Sequence, residues 1–305
     1  MASYRLTTAD TNLILADPRI YANLPVDLGF CPTQQIPDAF DILDYELNKI
    51  EAPSGSQYGQ FAVGVQTSKK ETTRPIMSFR YKFEFNKSEL AIARRNQYEM
   101  IVANLNVGMQ HMNTQIGQLL FQGNVAQETV LGMIDVGEDM NHTVAIAQDW
   151  DDAGGPVVYA FAAMEELLGN GYAPPYHWIL SYNLMPGMSA LHNGAADLSS
   201  EGIIKKNFGV TGVTYADLGT DVPLTSYPLP ASGDDGYFIA CKPDPQNFYM
   251  AQVTNGVEIT LPEGIDRDTN TYTAYMEWRG APVFRGAASG TGLYITYENS
   301  VDLQT

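Results

Sequence analysis

From Met77 to Phe85 apolar and polar residues alternate without a break, with Met77, Phe79, Tyr81, Phe83 and Phe85 set against Ser78, Arg80, Lys82 and Glu84. A period of two predicts a strand with one face on a core and one in water. The period then changes. Asn86 followed three residues on by Glu89 has the form of a capping box, and Leu90, Ile101, Leu105, Met112, Ile116 and Leu119 recur at helical spacing. They predict a helix over 87–121, about 50 Å long at ~1.5 Å per residue, against a radius of gyration of ~19 Å for a compact chain of this size. Such a helix implies a flat, elongated subunit, although Gly108 and Gly117 weaken it.

Upstream, Phe40, Leu43, Leu47 and Ile50 predict a short helix over 37–50 with Pro37 as its start signal. Residues 53–59 read as a turn, Phe61–Val65 as a strand, and Ser68–Pro75 as too polar for a core. Together 51–86 reads as an exposed β-hairpin with a basic tip, an element only marginally stable alone and in need of a surface to lie on. Downstream, Pro156–Leu168 predicts a helix closed by Gly169-Asn170-Gly171, and Met185–His192 a shorter one. After Gly209 the chain turns β-rich, with strands expected at Gly236–Cys241, Asn247–Thr254, Val257–Leu261, Tyr272–Arg279 and Leu293–Tyr297. The fold class is α+β, without internal repeats.

Charge sharpens this picture. The chain of 305 residues holds 17 Lys+Arg against 35 Asp+Glu, a net charge of -18, which excludes nucleic-acid binding over its whole surface. The basic residues are concentrated: Lys69, Lys70, Arg74, Arg80, Lys82, Lys87, Arg94 and Arg95 fall in one short window, and none occurs from Asn96 to Ile204. A basic arm on an acidic body is either a solvated face or a docking device for an acidic neighbouring copy.

Linear signatures of catalysis are lacking. There is no phosphate loop, dinucleotide fingerprint or nucleophile elbow, and Gly286–Gly292 reads as a turn. His111, His142, His177 and His192 have no metal spacing, and the acidic pairs Glu138-Asp139, Asp151-Asp152, Glu165-Glu166 and Asp234-Asp235 read as solvated surface. Cys31 and Cys241 belong to no cluster and read as small buried apolar residues. The expectation is a protein without enzymatic activity, metal or cofactor. The longest apolar run, Val157–Met164, is too short for a membrane span, and no secretory signal is evident, so a soluble chain made in the cytoplasm is expected.

The order of elements, an N-terminal arm, a short helix, a protruding basic hairpin, a very long helix and a mixed domain ending in long strands, resembles the major capsid proteins of tailed double-stranded DNA viruses. That is the Hong Kong 97-type fold, shared with encapsulin nanocompartments. Met77–Phe85 resembles the returning strand of that family's E-loop and Ser88–Phe121 its spine helix. Gln118–Gly123 followed by Val130–Ile134 is similar to the family's exit from that helix, Val157–Leu168, Gly171–Leu180 and Met185–Leu191 to the helix, strand and next helix of its axial (A) domain, and Tyr272–Phe284, with Trp278–Val283 in it, to its closing strands.

The resemblance implies an N-terminal arm over 1–36, the short helix over 37–50, the E-loop over 51–86 and a peripheral (P) domain with the spine over 87–156. An A-domain over 157–262 and returning strands over 263–305 complete it. It implies a homo-oligomer of pentamers and hexamers closing into an icosahedral shell around double-stranded DNA, in a virion assembled in the host cytoplasm, with no membrane. An encapsulin-like shell is the alternative, and an α+β enzyme with an unrecognised site a more distant one. Contacts between subunits are expected at Lys69, Lys70, Arg74, Arg80, Lys82, Arg94 and Arg95, and packaged DNA on an inner face near neutral or lined by Arg94 and Arg95. Some relatives join this loop to a neighbour by a Lys–Asn isopeptide bond, for which Lys69 or Lys70 stands near the right place; no asparagine partner is assignable. Scaffolding, where used, is expected as a separate protein, alongside portal and decoration proteins.

Overall fold

The computed structural model describes residues 30–37, 41–47, 69–86, 98–123, 130–134, 154–189, 199–216, 236–253, 256–261, 271–285 and 292–298, with positions 12, 14, 16, 88, 89, 92, 96, 136 and 150. Its organising strand is β10 (Thr271–Phe284), which pairs antiparallel with β4 (Met77–Asn86) along its first ten residues, from Thr271↔Asn86 to Gly280↔Met77. From Gly280 onward it pairs with β8 (Phe248–Gln252). Both strands alternate as two-faced strands must: Tyr272, Ala274, Met276 and Trp278 are buried while the residues between them are half-buried. Gly280 sits where β10 changes partner, and a Cβ there would lie 2.3 Å from the Ala251 carbonyl oxygen. Only glycine allows that approach. The sheet runs β1 (Thr33–Gln35), β8, β10, β4, with β9 (Glu258–Thr260) also on β10.

On the buried face of this sheet lies helix α1 (Glu99–Gln122), contributing Ile101, Val102, Leu105, Met109, Met112, Ile116 and Leu119 to the core. Its closest approach is at Gly108, where a Cβ would stand 2.4 Å from the Phe83 ring and 3.0 Å from Met276 Sδ. The helix is uninterrupted through Gly108, where the sheet requires the small residue, and through Gly117, where a Cβ would meet nothing within 4 Å.

A second sheet, β11–β7–β5–β6 (Leu293–Glu298, Gly236–Cys241, Tyr176–Ser181, Val210–Ala216), is buried on both faces along its central strands β7 and β5 and the start of β11. Ile179, Ile239, Cys241, Leu293 and Ile295 join the α1 core, whereas Trp178, Leu180, Phe238, Ala240 and Tyr294 point into a second cluster. That cluster is closed by α2 (Gly155–Gly169), α3 (Met185–Ser189), α4 (Ser200–Asn207) and Trp150. Burial on both sides explains why these strands read as continuous apolar runs rather than alternations.

Three expectations are corrected. Residues 41–47, expected within a helix over 37–50, form strand β2 (Asp41–Leu47), antiparallel to β3 (Lys69–Pro75) from Asp41↔Pro75 to Leu47↔Lys69. Leu43, Tyr45 and Leu47 also satisfy a period of two, and a strand partner decides between two local readings of a short segment. The hairpin is therefore built on 41–47 and 69–75 rather than within 51–86. Met77–Asn86 leaves it to join β10, and the strand expected at Phe61–Val65 lies outside the described residues.

The helix expected over 87–121 is divided. Asn86 and Glu89 do form the reciprocal capping box, at 2.8 and 2.9 Å. Tyr98, however, has φ 63 in the left-handed region, so α1 begins at Glu99 and spans about 36 Å. Described parts of the N-terminal arm are built into the body. Ile14 and Phe30 are buried in the α1 core and Thr33–Gln35 pairs parallel with β8, covering the second edge of a wholly buried strand.

Candidate assembly surfaces

The hairpin β2–β3 carries three of the basic residues singled out from the sequence. Lys69 and Lys70 stand at the far end of β3, in register with Leu47 and Glu46, and Arg74 with Ile42 near its base. Beyond each other, the hairpin strands have their next most extensive contact, a slight one, where β3 meets β10.

Arg80 and Lys82 belong to a different surface, the outward face of β4, β10 and β9. The Arg80 guanidinium lies 4.3 Å over the Tyr275 ring, Lys82 is ion-paired with Glu84, and Ser78 Oγ donates to Glu277 at 3.3 Å. The Glu84 carboxylate, by hydrogen bond and charge, raises the Lys82 pKa. With Arg80, Lys82 and Arg279 set among Glu84, Glu258 and Glu277, this face is a balanced lattice rather than a cationic patch. Position in sequence suggested a single basic cluster; strand pairing separates it into two. Arg94 and Arg95 lie outside the described residues.

A third surface carried no signal in the sequence. Helix α2 starts with Pro156 in its first turn and closes as its glycines foretell, with Gly171 at φ 86 and Tyr172 N donating to Leu167 O at 2.8 Å. Tyr159, Ala160, Ala163 and Leu167 are buried beneath it. On its outer side Val158, Phe161 and Leu168 are 37%, 54% and 46% exposed, at i, i+3 and i+10 on one stripe interrupted by Glu165. A helix apolar on both sides is expected to have something covering each of them.

The histidines and cysteines are structural where described. His177 Nε2 shares a hydrogen bond with Thr214 Oγ1 at 2.8 Å, and its ring stacks on Phe30 at 5.1 Å. Gly212 abuts that ring so closely that a Cβ would lie 2.6 Å from it. Burial, and secondarily the charge of Lys205, lowers the His177 pKa to about 4. A base held below its unfolded value of ~6.5 leaves the unfolded chain binding the extra proton, so its contribution is whole above pH 6.5 and is lost as pH falls towards 4. The full linkage is about 3 kcal/mol, and solvent screening of this partly exposed ring brings the expected loss to about 1–2 kcal/mol. Thermal melts between pH 7 and pH 4 should show this slope in the native protein and a shallower one in His177→Gln; equal slopes would remove the assignment.

Cys31 and Cys241 are free, buried thiols, with burial raising Cys31 to about 12 and Cys241 further still. His111 stacks on Tyr81, and His142 and His192 lie outside the described residues. Among the described residues no group of three His, Cys, Asp or Glu could hold a metal, and no helix is long and apolar enough to cross a membrane.

The fold is shared with solved structures. The capsid of Myoviridae phage XM1 matches with a TM-score of 0.59 at 13% identity, over 90% of this chain and 91% of that one. The virus-like particle from Pyrococcus furiosus matches with a TM-score of 0.57 at 13% identity, over 96% and 99%. The capsid of an empty GTA particle matches with a TM-score of 0.59 at 9% identity, over 89% and 88%. No family sequence model and no curated protein sequence matches the chain. Across this distance it is the fold that is common, and the chain has the α+β Hong Kong 97-type capsid fold.

Proposed function

We propose that this chain is the major capsid protein of a tailed double-stranded DNA virus, assembling through pentamers and hexamers into an icosahedral shell around DNA. The observation that carries the reading is the capsid fold along some nine-tenths of the chain, matched over a similar share of capsid subunits from more than one source. The surfaces support it. A hairpin whose contacts with the other described elements are slight, and a helix with an apolar outer stripe, are elements that copies of a subunit complete for one another, and closed symmetry turns such contacts into a shell. On that hairpin Lys69, Lys70 and Arg74 stand among Asp41, Asp44, Glu46 and Glu71, and in this reading the three cations, rather than a net positive charge, meet acidic groups of a neighbouring copy. Arg80 and Lys82 serve the outward sheet face, and Arg94 and Arg95 the entry to the spine. In this reading the mature location is the virion, and scaffolding, portal and decoration proteins are separate chains.

Negative-stain microscopy with the absorbance ratio at 260 and 280 nm tests the proposal on native particles and on the protein expressed alone. Closed shells containing DNA are expected in the native preparation. Nucleic-acid-free shells filled with protein would assign an encapsulin-like compartment instead, and a compact monomer in both preparations would sink the capsid reading. Reversing the hairpin charges (Lys69→Glu, Lys70→Glu, Arg74→Glu) is expected to stop at free rings or subunits; shells at native yield would show that the charges do not dock it. In denaturing gels of native particles, a covalent ladder that Lys69→Arg with Lys70→Arg loses while still closing shells would assign a cross-link to Lys69 or Lys70, and a single subunit band would remove it.

A further inference from the structure

Residues 30–36 join the two sheets. Phe30 is buried, its ring 6.3 Å from that of Phe121 at the end of α1 and stacked at 5.1 Å on that of His177 in β5. Pro32 O then accepts from Met250 N, Thr33–Gln35 pairs with Met250–Gln252, and Ile36 N donates to Gln252 O, both of these single bonds at 2.8 Å. Within 30–35 only Phe30 and Cys31 are buried, while Thr33, Gln34 and Gln35 are exposed. The segment is a clasp, held by main-chain bonds on the first sheet and by one aromatic anchor on the second. That anchor rests on a group that can take a proton. His177 shares its face of the sheet with its cross-strand partner Cys241, has Gly212 against its ring, and meets Thr214 Oγ1 through Nε2; Nδ1 has no hydrogen-bond partner among the described residues. The titratable and charged groups around it are the Cys31 and Cys241 thiols and, from α4 and β6, the Lys205–Glu201 ion pair with Tyr215 bonded to Glu201. Burial, and then the charge of Lys205, both act against the imidazolium.

We propose that Phe30 and His177 form an acid-released latch: a proton on the imidazole frees Phe30 and loosens residues 30–36, so that acid uncouples this part of the N-terminal arm from the second sheet while the core stays folded. The latch is independent of the capsid reading. With Phe30 seated, one face of the ring is denied water, and the cation–π attraction that an imidazolium gains in return is modest. With Phe30 out, the ring titrates near its ordinary ~6.5. The open arm therefore leaves a histidine that binds its proton more strongly, and opening is favoured increasingly as pH falls from 6.5 towards 4. Linkage is reciprocal, so removing Phe30 has to raise the affinity of His177 for the proton.

Backbone hydrogen exchange on the protein expressed alone, with rates corrected for their intrinsic pH dependence, tests the latch. Between pH 7 and pH 4 the amides of Ile36 and Met250 should lose roughly five- to thirtyfold in protection, the screened linkage of this partly exposed ring, while amides inside α1 keep theirs. The same change of pH neutralises carboxylates throughout the chain. His177→Gln separates their effect, because it offers Thr214 Oγ1 a partner and cannot titrate; its clasp should stay protected at both pH values. Exchange of the His177 ring Cε1 proton, followed by mass spectrometry, reports the pKa of the ring, which should rise towards the ordinary histidine value in Phe30→Ala. A clasp that stays protected in the native chain at pH 4, an equal loss in His177→Gln, or a loss that extends into α1 would overturn the latch. So would an unchanged His177 pKa in Phe30→Ala. The two variants answer separately, so failure of one to fold leaves the other decisive.

Discussion

Replacing Phe161 with glutamate is expected to abolish ring and shell formation while leaving a folded subunit. Phe161 stands at the centre of the outer stripe of α2 and is 54% exposed, so its own fold gains little from it. Beneath it Tyr159, Ala160 and Ala163 hold the helix to the second sheet and are untouched by the change. A buried aromatic at an interface is typically worth 2 kcal/mol or more in each copy, and a ring multiplies that loss by its contacts. Glutamate adds an unpaired charge to an apolar surface and sets it one turn from Glu165. The melting temperature of the isolated subunit should move by no more than about 2 °C, and sedimentation or microscopy should show subunits in place of shells. Shells at native yield from Phe161→Glu would show that this stripe is not covered by another copy.

The largest effect on the fold itself is expected from Gly132→Ala. A Cβ at this position would lie 2.3 Å from Gly123 N, 2.5 Å from the Gln122 carbonyl carbon and 2.5 Å from that of Phe121. These are backbone atoms at the end of α1, where Gly123 N closes the helix on Leu119 O at 3.0 Å. A side chain that collides with side chains can be relieved by a change of rotamer; here relief means parting two segments of main chain. Val130, Met133 and Ile134 on one side and Leu119, Leu120 and Phe121 on the other belong to one core, so the parting also loosens packed apolar surface. We expect a loss of about 3 kcal/mol or more, at the top of the overpacking range, seen as a lower midpoint in denaturant with an unchanged slope. By contrast Gly117→Ala meets nothing within 4 Å and should stabilise by roughly the helix propensity of alanine, about 1 kcal/mol. Equal effects at the two glycines would refute the backbone-contact argument.

These two glycines, and Gly108 with them, mark the line between what is local and what is not. A helix around Gly108 and Gly117 was legible from the apolar spacing, and both counted alike as weaknesses, because the partners that set Gly108 apart, Phe83 and Met276, lie elsewhere in the chain. The same holds for residues 41–47. Their apolar residues fit a helix and a strand alike, and the strand wins because 69–75 lies alongside, more than twenty residues later. Tyr98 shows the opposite failure: nothing in its identity announces a left-handed residue, and the break it makes in the spine comes from packing, its ring buried at 4% exposure with Phe85, Ile101 and Tyr272 in the same core.

The surfaces divide in the same way. The basic window was plain in the sequence, but whether Lys69 and Arg80 act together depended on which strands they joined, β3 on β2 or β4 on β10. The outer stripe of α2 was hidden because Val157–Met164 is apolar on every side, and composition does not tell the buried face from the exposed one.

What the sequence by itself determined is the class and the order of the parts: the alternating strand at 77–86, the capping box at Asn86 and Glu89, the helix closed at Gly171, and the β-rich end. Each is set by neighbours within a turn or two, through spacing, capping and left-handed glycines, and that order carried the resemblance to a capsid subunit. What only the tertiary structure decided is which strands pair, where the spine breaks, which glycines are contacts and which apolar face is left uncovered. Those depend on residues far apart in the chain meeting in space, and no local preference, worth at most about 1 kcal/mol per residue outside proline, outweighs the burial such meetings bring.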